Sequence, residues 1–80
     1  MKKLDDMTDV QRDKRQFVKR HLNGIMKALD PDITRMEYNV TDDNDEFVII
    51  QRKNDRTRRV NVTADSLFAM TRDVIGSLCF

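Results

Sequence analysis

The hydrophobic pattern of this chain changes from a helical period to a period of two at Asp30-Pro31, and this change constrains the fold more than any other feature. Before Asp30, apolar residues recur every three or four positions, as they do on one face of a helix. After Pro31, the residues Met36, Tyr38 and Val40 alternate with polar residues, which is typical of a half-buried strand. Because the residue before a proline is disfavoured in helical geometry, the helix is predicted to end at about Leu29.

The first helix is predicted to begin after Thr8, because Thr8 and Gln11 have the spacing of a capping box. Residues 1–7 are polar and charged and are expected to fray. On a regular helix the apolar residues share one face, which comprises Val10, Phe17, Val18, Leu22, Ile25, Ala28 and Leu29. Lys14 and His21 fall inside this apolar arc and conflict with it. The opposite side, which we call the basic helix face, carries Arg12, Arg15, Lys19, Arg20 and Lys27.

Two turn-forming segments, residues 41–45 and 53–56, divide the middle of the chain into three short strands. The second strand, residues 47–50, is apolar on both faces, which favours the central place in the sheet. Thr63 is predicted to cap a last helix with a wide apolar face that comprises Leu67, Phe68, Met70, Val74, Ile75, Leu78 and Cys79. The chain is therefore predicted to be a single α+β domain over residues 1–80. Its order is a helix, a three-stranded antiparallel meander and a helix (αβββα), with both helices on one face of the sheet.

The same periodicities predict the core. Its members should be Phe17, Val18, Leu22, Ile25, Tyr38, Val40, Val60, Val62, Leu67, Val74 and Leu78. The central strand should add one alternate pair, either Val48 and Ile50 or Phe47 and Ile49. The other pair is then left on the sheet face that the helices do not cover.

Residue types that bind metals or act as nucleophiles are scarce in this chain. The only cysteine, Cys79, excludes an internal disulfide, and with one histidine, His21, the chain lacks the ligands of a structural zinc site. His21 is expected to pack at the edge of the helix rather than to act as an acid or base. Cys79 is expected to be a structural thiol, because the end of a helix disfavours a thiolate.

The acidic residues of the first turn are also expected to be structural. Asp42, Asp43, Asp45 and Glu46 lack the central glycine of a calcium-binding loop, so we expect a solvated hairpin turn. The two glycines are isolated inside predicted helices, which leaves no phosphate-binding loop. The sequence thus favours a protein that is not an enzyme and that has no cofactor or metal site.

The longest apolar run, residues 47–50, is far shorter than the roughly 20 residues that a membrane-spanning helix needs. The first residues contain no apolar stretch of the kind found in signal peptides. One cysteine and five methionines fit a reducing compartment. We therefore expect a cytoplasmic protein that does not contact membranes.

The charges are nearly balanced, with a formal net charge of +1, but they are sorted along the chain. The segment that we call the basic hairpin carries Arg52, Lys53, Arg56, Arg58 and Arg59 around the second turn. Successive turns of a meander lie at opposite ends of the sheet, so the acidic first turn should be far away. The basic hairpin, and more weakly the basic helix face, are candidate surfaces for an acidic partner, either nucleic acid or protein. Alternatively, these charges only keep the surface soluble and prevent edge-to-edge pairing.

A second type of surface is apolar. The uncovered sheet face should carry two large apolar side chains surrounded by polar ones, which is the composition of a protein interface. The wide apolar face of the last helix suggests the same use. We therefore expect a homodimer, with docking on another protein through these surfaces as the alternative function.

The order of helix, three strands and helix resembles that of double-stranded-RNA-binding domains. Those domains grip phosphate with a lysine-rich start to their second helix, whereas the corresponding stretch here is Thr63-Ala64-Asp65-Ser66-Leu67. Since that stretch is acidic and has no lysine, the resemblance is limited to topology. The order and size also resemble those of small phage-encoded inhibitors, including certain anti-CRISPR proteins, which act by stoichiometric binding to a host protein. That resemblance implies an accessory or inhibitory protein as the alternative to a binder of nucleic acid.

Overall fold

The structure, a computed structural model, describes residues 2–78. The N-terminal helix is continuous and consists of α1 (Asp9–Phe17), a π-helical turn (Val18–Leu22) and α2 (Asn23–Leu29). The sheet consists of β1 (Ile33–Val40), β2 (Glu46–Arg52) and β3 (Thr57–Asn61), and the last helix is α3 (Leu67–Gly76). Short 3₁₀ turns occur at Leu4–Asp6 and Lys53–Asp55.

The sheet is antiparallel in the order β1-β2-β3, and both helices pack on one of its faces. This confirms the predicted αβββα arrangement. The central strand contributes Val48 and Ile50 to the core, both at 1% exposure or less. Phe47 and Ile49 therefore lie on the opposite face, where they are half-buried.

The buried core contains most of the predicted residues. Those confirmed as buried are Val18, Leu22, Tyr38, Val40, Val62, Val74 and Leu78, and Phe17 and Val60 are packed against them at the edge. The predictions for Ile25 and Leu67 were wrong, since these residues are 46% and 40% exposed. The buried core residues that the predicted list did not include are Met7, Met26, Ile33, Met36 and Met70.

The error at Ile25 has its origin in the π-helical turn. The N–H of Asn23 donates to the carbonyl of Val18, five residues earlier, so this turn is wider than a regular α-helical turn. A regular helix would present Ile25 to the sheet after Leu22, three residues apart on one face. The wider turn moves each later sheet-facing position of the helix about one residue towards the C-terminus. Met26, with no exposed surface, takes the place of Ile25.

The two helix starts give opposite outcomes. At α1 the capping box is confirmed, because the Gln11 N–H donates to the Thr8 hydroxyl at 3.2 Å and the Gln11 side chain accepts from the Thr8 N–H at 3.0 Å. At α3 the prediction of Thr63 as the cap was wrong. Ser66 caps this helix, accepting from the Ala69 N–H at 3.1 Å, and Thr63 is used elsewhere. The predictions for Cys79 lie outside the described residues.

Residues 2–7, for which the sequence predicts fraying, contact the rest of the fold at several points. The Lys2 N–H donates to the carbonyl of Val40 at 2.7 Å, at the outer edge of β1. Met7 is buried at 8% exposure. The segment therefore lies across one end of β1 and the start of the N-terminal helix.

Candidate partner-binding surfaces

The basic hairpin turns through two residues in the left-handed region. Asn54 and Asp55 have φ angles of 69° and 60°, which Asn and Asp side chains tolerate better than most residues do. The turn is closed by the Arg52 N–H, which donates to the Arg56 carbonyl at 2.7 Å. The Lys53 N–H donates to the Asp32 carbonyl at 2.9 Å and ties the turn to the start of β1.

Two of the five hairpin cations hold the hairpin against the rest of the fold. Arg52 is half-buried and forms an ion pair with Asp30, the residue that ends the N-terminal helix. This hydrogen bond, with that from the Asp32 N–H, holds the pKa of Asp30 below its usual value. Arg58 donates to the carbonyl of Ser77 at 2.6 Å, beyond the end of α3. Arg52 is therefore paired with a carboxylate of its own chain, and Arg58 is bonded to a backbone carbonyl.

The other three hairpin cations, Lys53, Arg56 and Arg59, are exposed. Within residues 2–78, none of them has a carboxylate at ion-pair distance. The guanidinium of Arg59 lies 4.2 Å from the centre of the Phe47 ring, a cation–π contact on the uncovered sheet face. Lys53 and Arg56 border a shallow hollow of about 330 Å³. These three positive charges are therefore available on the hairpin surface.

The basic helix face does not form one surface. Arg12 is occupied with the N-terminal turn, because it donates to the carbonyls of Leu4 and Asp5 and pairs with Asp9. Arg15 and Lys19 turn towards β1 and line a groove, whereas Arg20 and Lys27 are exposed elsewhere. The structure thus divides the five predicted residues into three groups with different surroundings.

The groove beside β1, which we call the β1 groove, has a volume of about 650 Å³ and lies between the N-terminal helix, residues 2–7 and β1. Its charged lining residues are Lys2, Lys3, Arg15, Lys19, Arg35 and Glu37. Glu37 is paired with Arg35, so positive charge dominates. The apolar part of the lining comprises Leu4, Met7, Val18 and Met36. Sequence patterns did not predict this site, since its residues come from three separate segments.

The other end of the sheet contains a buried charged network that the sequence analysis did not predict. The Lys14 ammonium is 1% exposed and lies 2.8 Å from Glu46 Oε1. It also donates to the carbonyl of Val62 at 3.1 Å, and the Tyr38 hydroxyl donates to Glu46 Oε1. The Ala64 N–H donates to Glu46 Oε2 at 3.0 Å. The network thus joins the N-terminal helix, the first two strands and the segment after β3.

The backbone around this network is bonded as well. The Glu46 N–H donates to the Thr63 hydroxyl at 2.8 Å, and its carbonyl accepts from the Val62 N–H at 2.9 Å. Ala64 has a φ of 62°, a strained value for a residue with a Cβ. The prediction that Glu46 belongs to a solvated acidic turn was wrong, because Glu46 is 6% exposed, whereas Asp42, Asp43 and Asp45 are exposed.

The network shifts the pKa values of its members. Burial raises the pKa of Glu46, but hydrogen bonds from Lys14, Tyr38 and Ala64 outweigh burial and hold this pKa below its usual value. Burial and the bond to Glu46 raise the pKa of Tyr38 well above its usual value. Nearby, burial and the adjacent carboxyl of Asp73 raise the pKa of Asp65. Each shift has a structural cause within a packed region.

His21, the one candidate acid or base in the sequence, is exposed on the N-terminal helix. Its ring lies 5.4 Å from that of Phe17, centre to centre. Residues 2–78 contain no group of three His, Cys, Asp or Glu side chains that could hold a metal ion. In that range, no helix is both long and apolar enough to cross a membrane.

No protein-family model, curated protein or solved structure matches this chain.

Proposed function

We propose that this protein is a non-enzymatic binding module that contacts an acidic partner, nucleic acid or protein, through the basic hairpin. This proposal rests on a difference between two groups of hairpin cations. Arg52 and Arg58 bond to the rest of the fold, whereas Lys53, Arg56 and Arg59 are exposed without a carboxylate partner in residues 2–78.

The hairpin is held in place before any partner arrives. The bonds from Arg52 to Asp30 and from the Lys53 N–H to the Asp32 carbonyl fix it to the start of β1. A binding surface that is already ordered loses less conformational entropy on association than a flexible loop does. Asp42, Asp43 and Asp45 lie in the opposite turn of the meander, so they do not neutralise the hairpin.

The proposal assigns no proton transfer to the carboxyl groups with shifted pKa values. Glu46 and Asp30, whose pKa values are lowered, are each bonded to a cation of their own chain, which stabilises the ionised form. Asp65, whose pKa is raised, lies beside the carboxyl of Asp73. His21 is exposed, and its ring lies against that of Phe17.

The proposal includes a homodimer, supported by apolar residues at the start of α3. Phe68 is 77% exposed and Leu67 is 40% exposed, although the same helix buries Met70 and Val74. A second copy that covers this patch would bury two large side chains. Sedimentation at micromolar concentration should give twice 9.5 kDa, and Phe68→Ser should return the mass to that of one chain. A single-chain mass for the unsubstituted protein at high concentration would exclude the dimer.

The same exposed Phe68 favours a second candidate function, which is docking on another protein as a small accessory or inhibitory protein. Salt separates the two functions. Binding through the hairpin cations should weaken steeply as salt rises, whereas apolar docking should change little. Phe68→Ser should abolish apolar docking and leave binding at the hairpin intact.

The decisive experiment titrates labelled mixed-sequence duplex DNA, single-stranded DNA, RNA and an acidic polypeptide such as polyglutamate with the full chain, at low and moderate salt. The test variant is Lys53→Ala with Arg56→Ala, because replacing Arg58 would also disturb the contact at Ser77. The matched control, Arg20→Ala with Lys27→Ala, removes the same charge from the exposed helix. For a nucleic acid, each lost phosphate contact should reduce the salt slope by about 1.

The expected result is weaker binding by the hairpin variant than by the control. If only one of these classes of polyanion binds, the proposed partner belongs to that class. Equal binding by the hairpin variant and the unsubstituted protein would place the site elsewhere. No binding of any of these polyanions at low salt would reject the proposal.

A further inference from the structure

β1 is an edge strand whose outer side is only partly occupied. The Lys2 N–H donates to the carbonyl of Val40, so the backbone groups of Val40 point away from β2. The neighbouring Thr41 N–H donates to the Asp45 carbonyl at 2.8 Å, towards the second strand. Because backbone groups alternate in direction along a strand, the N–H and C=O groups of Met36 and Tyr38 point away from β2, as those of Val40 do.

The pairing on the other side of β2 agrees with this assignment. Glu46, which lies opposite Val40, directs its N–H to Thr63 and its carbonyl to the Val62 N–H. It therefore exchanges no backbone hydrogen bonds with Val40. Within residues 2–78, no hydrogen bond satisfies the outward N–H and C=O of Met36 and Tyr38. Such an unpaired edge is a template on which another strand can pair.

The unpaired edge borders the β1 groove, since Met36 and Tyr38 are both lining residues. On the helix side of the groove, Arg15 and Lys19 have no carboxylate at ion-pair distance within residues 2–78. On the uncovered sheet face lies Arg35, which pairs with Glu37. A strand added here would meet backbone partners in its plane and positive charge nearby.

We propose that the β1 groove binds an acidic peptide segment in extended conformation, which pairs with the outer edge of β1 as a fourth strand. The main-chain bonds would supply affinity, and the alternate side chains of the segment would supply specificity. Carboxylates of the segment would face Arg15 and Lys19 on the helix side of the sheet, and its alternate apolar side chains would lie on the uncovered face. This proposal concerns a surface separate from the basic hairpin, so either can fail without the other.

Two other occupants fit less well. A nucleic-acid backbone could neutralise Arg15 and Lys19, but it lacks the alternating N–H and C=O groups that pair with Met36 and Tyr38. A second copy of β1 would have these N–H and C=O groups, but it would place two sets of groove cations close to each other. Like charges directly opposite one another destabilise a pair of strands. An acidic peptide satisfies both the backbone and the charge.

The test uses a short capped synthetic peptide of alternating Glu and Val, titrated to millimolar concentration into the isotope-labelled full chain and followed by NMR. Binding should shift the amide signals of Met36 and Tyr38 and slow their hydrogen exchange several-fold, because both N–H groups acquire acceptors. Raising the salt concentration should weaken the binding. A peptide of alternating Lys and Val should not bind.

Two isomeric peptides test the strand pairing itself. One is N-methylated at every Glu and the other at every Val, so each lacks the donors of one alternate set. In a strand, one set faces the partner and the other faces solvent. One isomer should therefore lose binding and the other should keep it. Equal binding by both isomers would show a charge contact without strand pairing and would overturn the proposal.

Charge variants test the groove. Arg15→Glu with Lys19→Glu should weaken binding of the Glu-Val peptide at least tenfold, since like charges across an interface are strongly unfavourable. Arg20→Glu with Lys27→Glu makes the same change in net charge on the same helix but outside the groove. An equal loss in both variants would mean non-specific attraction. If millimolar peptide does not shift the amide signals of Met36 or Tyr38, the proposal is also rejected. The same holds if an oligonucleotide protects these amides from hydrogen exchange more strongly than the peptide does.

Discussion

The two ends of the sheet use charge in opposite ways. At the end where β1 turns into β2, Lys14 and Glu46 form a buried pair whose remaining atoms are bonded to Tyr38, Val62 and Ala64. At the end where β2 turns into β3, Arg52 and Arg58 bond to the rest of the fold, but Lys53, Arg56 and Arg59 lie at the surface. One end buries a bonded pair of charges, and the other also presents three cations that have no carboxylate partner within residues 2–78.

The difference teaches that charge content alone says little about the role of a segment. A buried pair contributes little net stability relative to an apolar pair, but removal of one partner leaves the other charged and desolvated. An exposed cation can be removed with little effect on folding. Substitutions at the two ends should therefore separate stability from binding.

The largest effect is expected for Lys14→Met, which removes the ammonium from the buried pair. Glu46 would remain buried without its cation, so the free energy of unfolding should fall by about 3–5 kcal/mol. Denaturant unfolding followed by circular dichroism measures this change. Lys27→Met is the matched control at an exposed position of the same continuous helix and should stay within about 0.5 kcal/mol. Similar losses in both variants would remove the contrast between the ends.

The pH dependence of stability should reveal the same network. The lowered pKa of Glu46 means that its contribution is present above the unfolded pKa of a glutamate, about 4.3, and is lost as pH falls through the folded value. Asp65 should act in the opposite direction, because its raised pKa makes the ionised form unfavourable in the fold. Asp65→Asn should therefore stabilise the protein at neutral pH, with the gain vanishing in acid.

Urea titrations between pH 7 and pH 3 measure both trends. A stability of the Asp65→Asn variant that is constant over this range would contradict the part assigned to Glu46. A gain from Asp65→Asn that grows in acid would contradict the sign assigned to Asp65.

A smaller effect is expected at Ala64, which has a φ of 62° while its N–H bonds to Glu46. Ala64→Gly should relieve the strain, and after the greater flexibility of the unfolded chain is subtracted, stability should rise by about 0.5–1 kcal/mol. Ala28→Gly, in the regular part of α2, should instead cost about 1 kcal/mol. Thermal unfolding of the two variants compares them directly, and a loss in both would mean that Ala64 is not strained.

The smallest effect on folding is expected at the basic hairpin. Lys53→Ala with Arg56→Ala should change the free energy of unfolding by less than about 0.5 kcal/mol, because both side chains are exposed. Arg52→Ala should cost more, because it breaks the half-buried pair with Asp30. If the double variant is the less stable of the two in denaturant, the hairpin cations are structural and the contrast between the ends is lost.

Much of the architecture follows from simple periodicity, but the buried network needed a combination of two signals. Lys14 falls inside the apolar arc of the helix, and Glu46 is two residues before Val48, on the core-facing side of β2. Either residue alone suggests an exception or a solvated turn. Together, two opposite charges at core-facing positions indicate a buried pair, so this feature was present in the sequence and was missed.

The π-helical turn is different, because no residue pattern in Val18–Leu22 announces it. Its wider turn brings Met26 rather than Ile25 to the core, and the choice depends on packing against the sheet. The β1 groove was out of reach for a related reason. Its cations come from residues 2–3, from the N-terminal helix and from β1, and only the tertiary fold brings them together.

The contacts of Lys14 also bear on the order of events in folding. The ammonium bonds to residues 32 and 48 positions further along the chain, at Glu46 and Val62. Both hairpins can form through local contacts, but these bonds require the helix to dock on a sheet that is already assembled. Interactions that form after the transition state chiefly slow unfolding. The buried pair should therefore lower the rate of unfolding more than it raises the rate of folding, so it chiefly lengthens the lifetime of the folded state.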